Sequence, residues 1–184
     1  LMTRSSSTNS FNNPSSSYYA WKQATDDGLT GKTFNILTVA TDWAGNGETH
    51  VSTRSFVFNN VPPTSGPSLP VPNEAYNALA TLSGTAAPAT GTISGMAISL
   101  WGVEDAAWFD FGTGLFDKPG QNWQALLANQ FSSISGTWSY NLSPSPFRDG
   151  RHYVLYSSAT DNIGLVQTVA GRAEILFDTT TPTS

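Results

Sequence analysis

The sequence predicts an all-β protein: tandem antiparallel β-sandwiches, the first one incomplete. Three observations predict the tandem sandwiches. The chain repeats itself at a step of 119 residues, so that Gly31–Ser65 overlies Gly150–Ser184 without a gap. Ala40-Thr41-Asp42 falls on Ala159-Thr160-Asp161, Gly45 on Gly164, Phe58 on Phe177, and Pro63-Thr64-Ser65 on Pro182-Thr183-Ser184. Apolar residues alternate with polar ones along the repeated segments, the period of a half-buried strand. Turn signals recur about every 8–12 residues, the spacing of a two-sheet sandwich, and no long helical pattern competes. A repeat of this length is one compact domain per unit rather than a solenoid coil.

Taken in order, residues 1–20 are polar and of low complexity, a weakly ordered lead-in in which Phe11, Tyr18 and Tyr19 are the candidates for an irregular sheet edge. Lys32–Ala40 alternates with Phe34, Ile36, Thr38 and Ala40 on one face; Arg151–Ala159 does the same with Tyr153, Leu155, Ser157 and Ala159. Each is followed by a turn rich in Asp, Gly and Asn and by a second strand ending at Phe58 or Phe177. Each repeat therefore closes in a hairpin. Val61–Pro67 and Thr179–Ser184 read as short, semi-stiff linkers, because proline fixes φ and removes a donor. Between them, strands are expected near Ala78–Gly84, Thr92–Trp101, Ala107–Phe111, Trp123–Leu127 and Trp138–Leu142, with Gln124–Gln130 a candidate short helix. The domains are then 1–65, the latter part of one unit with its lead-in, and 66–184, a complete unit. On this reading the chain is a piece of a longer array.

Composition narrows the function. Eight Lys and Arg stand against 13 Asp and Glu, for a net charge of −5 and an acidic pI. Such a surface repels phosphate backbones and argues against nucleic acid as a partner. No apolar run approaches the ~20 residues of a spanning helix, and no basic amphipathic stretch suits a membrane surface. With no cysteine there is no disulfide framework and no thiolate metal site. Three lysines beside abundant Ser, Thr, Asn and Gly suit a β-rich secreted module.

One string carries more. Trp138-Ser-Tyr-Asn-Leu142, Phe147-Arg-Asp-Gly150, Tyr153, Ala159-Thr160-Asp161 and Phe177-Asp178-Thr-Thr-Thr-Pro182 follow one another at the spacing of a known pattern, and Ala40-Thr-Asp-Trp-Ala-Gly-Asn46 repeats its central motif. The chain resembles the bacterial immunoglobulin-like tandem repeats of large cell-surface and adhesin-type proteins. The resemblance implies immunoglobulin-like sandwiches and a secreted, cell-surface role. It departs at Asn162-Ile163-Gly164-Leu165, where the family has Ala-Gly-Asn. Asp149-Gly150-x-x-Tyr153 stands where immunoglobulin-type folds place a tyrosine corner. Asp42 and Asp161 are expected to cap the turns that follow them. Trp21 and Trp138 are expected to cap the core.

Catalytic constellations are missing from the sequence. His50 and His152 are the only histidines, no nucleophile elbow or phosphate loop occurs, and no catalytic residue is assigned. Glu104, Asp105, Asp110 and Asp117 offer carboxylates without a defining spacing. Two binding sets remain. Asp42, Asn46 and Glu48 cluster after one strand and Asp178 sits at a module's end; these oxygen donors are the candidate ligands for calcium. Trp108, Phe111 and Trp123, in a stretch that also holds Trp101, Phe109 and Phe116, are the candidate carbohydrate platform.

The function expected is that of a non-enzymatic extracellular structural or adhesive segment: a stalk, adhesin or filament subunit. Its partners would be neighbouring repeats, or copies of itself joined by strand donation, because a lone hairpin cannot bury a two-sheet core. The alternative is a carbohydrate-binding accessory module of a secreted hydrolase, with surface glycans as partners.

Overall fold

A computed structural model describes residues 3–4, 11–12, 30–50 and 52–182. The remainder of the lead-in, and with it Tyr18, Tyr19 and Trp21, lies outside the described residues. Fourteen strands and no helix form among those described. They are β1 (Thr3–Arg4), β2 (Phe11–Asn12), β3 (Thr33–Thr38), β4 (Ser52–Val57), β5 (Thr64–Leu69), β6 (Ala75–Tyr76) and β7 (Thr81–Ala87). Then come β8 (Ile93–Gly102), β9 (Ala107–Asp110), β10 (Leu115–Lys118), β11 (Gln124–Ala125), β12 (Thr137–Asn141), β13 (Arg151–Asp161) and β14 (Gly171–Phe177). The protein is all-β.

From β5 onward two sheets face one another. The larger runs β10-β9-β8-β13-β14-β6, with β11 also on β8; the smaller is β12-β7-β5. Strands β5, β7 and β12 thus take the A, B and E places of an immunoglobulin-like sandwich, and β8, β13 and β14 take C, F and G. Alternation decides which side chains meet between them. Leu82 and Trp138 come from the small sheet; Met96, Ile98, Leu100, Phe109, Tyr153, Leu155, Ala159, Ile175 and Phe177 come from the large one, all buried in one core. At the start of β13 the Tyr153 hydroxyl accepts the Arg148 backbone N–H at 2.9 Å, which closes the tyrosine corner. Burial first of all pushes that phenol above its ordinary pKa.

The stretch read as a linker contributes a strand instead. Thr64–Leu69 pairs antiparallel with β7, its register slipping between Pro67 and Leu69. Proline is tolerated there because β5 is an edge strand and the slip is a bulge, where no ladder donor is needed. Ser65 and Gly66 press on β14 at Gly171, where an added Cβ would lie 2.7 Å from the Gly66 Cα and overlap the Ser65 carbonyl. Ser65 Oγ meets Ser157 Oγ at 3.0 Å and Gln167 Oε1 at 2.6 Å. Gln124–Gln130 is also not a helix: Gln124 and Ala125 pair with Ile98 and Ala97, and the chain turns through 128–130. A free edge of β8 outcompetes one turn of helix, whose nucleation is unfavourable.

The two closing hairpins share a register. Phe34 opposes Phe56 and Thr38 opposes Ser52 in β3–β4; Tyr153 opposes Ile175 and Ser157 opposes Gly171 in β13–β14, each 119 residues on. The backbone bonds of the turns between strands match one for one. Asp42 N–H donates to the Asn46 carbonyl at 3.0 Å, as Asp161 N–H does to that of Leu165. Gly45 N–H donates to the Asp42 carbonyl at 3.1 Å, as Gly164 N–H does to that of Asp161. Both glycines sit at positive φ, 88° and 90°, which a side chain would resist.

Candidate functional site

An antiparallel sheet with one face in the core ordinarily turns polar residues outward. The large sheet does the reverse at its centre. Its register sets Trp108 beside Trp101 and Tyr156 beside Ser99 on the side away from the core. The Trp101 and Trp108 rings are 5.0 Å apart between centroids and tilted by 56°; Trp108 and Tyr156 are 5.5 Å apart and tilted by 48°. The strip runs across β9, β8 and β13. Its own strands' Val154 and Ser99 are fully covered, and the Ser99 hydroxyl has no hydrogen-bond partner among the described residues. All three rings remain partly exposed.

An ion pair stands at each end. Lys118 lies opposite Trp108 and pairs with Asp110 at 2.8 Å, which raises the lysine pKa and lowers that of the aspartate. Arg172 lies opposite Tyr156, and its pKa is raised first by a hydrogen bond with that tyrosine and then by Glu174 at 2.5 Å. Each cation therefore carries its own counter-charge.

The expected platform is divided by this geometry. Trp108 belongs to the strip. Trp123 is 40 % exposed just ahead of β11, level with Ser99 along β8. Phe111 is on the other side, edge-on to Phe109 at 4.9 Å and to Tyr140 at 5.5 Å, and partly buried against the core. Alternation along β9 causes the split, since Trp108 faces out and Phe109 in. Tyr156 and Arg172 join the strip only through strand pairing, which no local signal reveals.

Each of the three candidate calcium carboxylates accepts a backbone N–H of its own turn through one oxygen. Asp42 Oδ1 accepts the N–H groups of Ala44 and Asn46, both at 2.9 Å, and Oδ2 accepts the Asn46 side-chain amide at 2.9 Å. The Asn46 side chain and backbone lower its pKa most. Glu48 Oε2 accepts the Ala40 N–H at 3.0 Å, and Asp178 Oδ1 caps the Thr180 N–H at 2.9 Å in the other repeat. Asp42, Asn46 and Glu48 share one turn; Asp178 closes a different hairpin. Among the described residues no group of three or more His, Cys, Asp or Glu is placed to hold a metal ion.

At the joint between repeats the turn is used differently. Asp161, 1 % exposed, accepts Ile163 N–H at 3.1 Å and Leu165 N–H at 2.8 Å on Oδ1, as Asp42 does in its own turn. The second turn has Leu165 where the first has Asn46, and Asp161 Oδ2 accepts the Asn59 side-chain amide at 2.9 Å from the preceding repeat's end. Three of the four carboxylates weighed for catalysis are likewise engaged. Glu104 meets His152 Nδ1 at 2.8 Å, Asp105 meets Arg151 at 2.7 Å, and Asp110 meets Lys118. Partial burial pushes the Glu104 pKa upward, but the His152 bonds outweigh it and the net direction is down. The His152 ring is about half exposed, on the outer side of the sheet.

No protein-family model matches the chain, and no curated protein matches it. Solved structures do. The fibronectin(III)-like modules of Clostridium thermocellum CbhA align over 80 % of this chain at 14 % identity, with a TM-score of 0.37. The FN1–FN3 domains of chicken CNTN1 align over 84 % at 13 % identity, with a TM-score of 0.36. The chain spans 63 % of the first and 47 % of the second.

Proposed function

We propose that this protein is a non-enzymatic, secreted structural segment: immunoglobulin-like modules in tandem that extend an adhesive or filamentous assembly from a cell surface. The observation that carries the reading is the hydrogen-bond set of the two closing hairpins, repeated at a step of 119 residues. A chain that builds the same hairpin twice and bonds the end of one repeat to the turn of the next is making a row of beads. Function then lies in length and in joint stiffness. Asn59 on Asp161 braces the joint that such a role would load.

Antibodies raised against the 184-residue chain test the surface role on source cells. Labelling of intact, unpermeabilised cells or of shed filaments is expected. Labelling that requires permeabilisation would contradict it.

A further inference from the structure

We infer that the outer face of the large sheet is a binding site for a neutral polysaccharide, with Trp101, Trp108 and Tyr156 as its stacking surface. The inference goes beyond the structural role and does not depend on it. Three aromatic side chains on a solvent-facing sheet surface need an explanation, because polar residues there would leave the core unchanged. Aromatic faces carry negative charge density and receive the C–H groups of a sugar ring, while the ring edges and neighbouring polar groups meet hydroxyls.

The occupant follows from size and charge. Each ring is at most about one-third exposed, so together they offer on the order of 200 Å². A protein partner needs roughly 800 Å² on each side, far more than this strip supplies. A narrow row of rings fits a polymer one sugar wide. Lys118–Asp110 and Arg172–Glu174 end the row with donors and acceptors whose charges cancel. That pattern suits hydroxyl groups; an acidic glycan would meet no unpaired cation at either end and a chain of net charge −5. Trp123, exposed and level with Ser99, extends the surface along β8.

The test is affinity electrophoresis of the whole chain in gels holding hydroxyethylcellulose, xylan, galactomannan or soluble starch, with alginate as the acidic comparison. Retardation by at least one neutral polymer is expected, lowered at least about tenfold in affinity by Trp101→Ala or Trp108→Ala. Tyr156→Phe, which keeps the ring, should retain most of the affinity. Because either alanine variant could misfold, an NMR titration of the unmodified protein accompanies them. Oligosaccharides of the retarding polymer should shift the indole N–H signals of Trp101 and Trp108 and leave that of buried Trp138 in place. No retardation by any neutral polymer, retardation by alginate alone, or shifts confined to other tryptophans would overturn the inference.

Discussion

The side-chain amide of Asn59 donates to the carboxylate of Asp161 at 2.9 Å, tying the end of one repeat to the turn of the next. The second repeat has Leu165 where the first has Asn46, so no side chain of its own turn takes this oxygen. In the first turn Asp42 Oδ2 is taken by Asn46; in the second the same oxygen is left for a residue from outside the turn. A departure from the repeat that looks like loss of a turn motif is the gain of a joint.

Asp161→Ala should strip an acceptor from Ile163, Leu165 and Asn59 at once, in a site 1 % exposed. A loss of about 2–3 kcal/mol in urea unfolding is expected, from donors left without partners. Asp42→Ala, in the exposed first turn, should leave the transition of the second repeat where it was. Equal effects from the two would contradict the different roles.

Gly171→Ala should drive a methyl into the Ser65 carbonyl and to 2.7 Å from Gly66 Cα. A destabilisation of about 1–3 kcal/mol is expected from overpacking. Faster proteolysis around Thr64–Gly66 should accompany it, since β5 is the strand displaced. Thermal melting and a timed digest read both effects.

Tyr153→Phe should preserve the ring contacts with Phe147 and Phe116, at 4.8 and 5.1 Å, and remove only the acceptor of the Arg148 N–H. The expected loss is about 1 kcal/mol, the net value of one hydrogen bond. An unchanged urea midpoint would show that the corner does not hold the 143–150 loop.

Acid should weaken the fold in a defined window. Asp149 is held below its ordinary 3.8 first by the backbone N–H of Thr179 and then by its hydroxyl, and Asp110 is held below it by Lys118. A depressed carboxylate pKa stabilises the folded state above the unfolded value of 3.8 and loses that contribution as pH falls through the folded one. Urea midpoints should therefore hold down to about pH 4 and fall below it. Asp149→Asn should flatten part of the fall; an unaltered slope would contradict the assignment.

Much of this architecture is legible in the residues. Alternation in Lys32–Ala40 and Arg151–Ala159 shows the strands, and the Asp-x-x-Gly turns show the hairpins, because both signals are local. The tyrosine corner is legible for the same reason. Strand β5 is not, since Pro63 and Pro67 read as breakers and only the edge position of the strand makes Pro67 harmless. The aromatic strip is half legible. Trp101 and Trp108 stand in an evidently aromatic stretch, but which of Trp108, Phe109 and Phe111 faces outward depends on where β9 enters the ladder. Tyr156 and Asn59 reach their partners through pairings far apart in the chain, and local pattern carries no trace of those.

The claim that adjacent repeats are locked together is tested most directly by exchanging the two partners of the joint. Asn59→Asp alone sets two carboxylates against each other, and Asp161→Asn alone sets two amides in contact. Each should lower the urea midpoint, and the double exchange should recover most of the loss, with a coupling of about 1–3 kcal/mol. Single effects that simply add, with no recovery in the double variant, would contradict the lock and leave the repeats as independent beads.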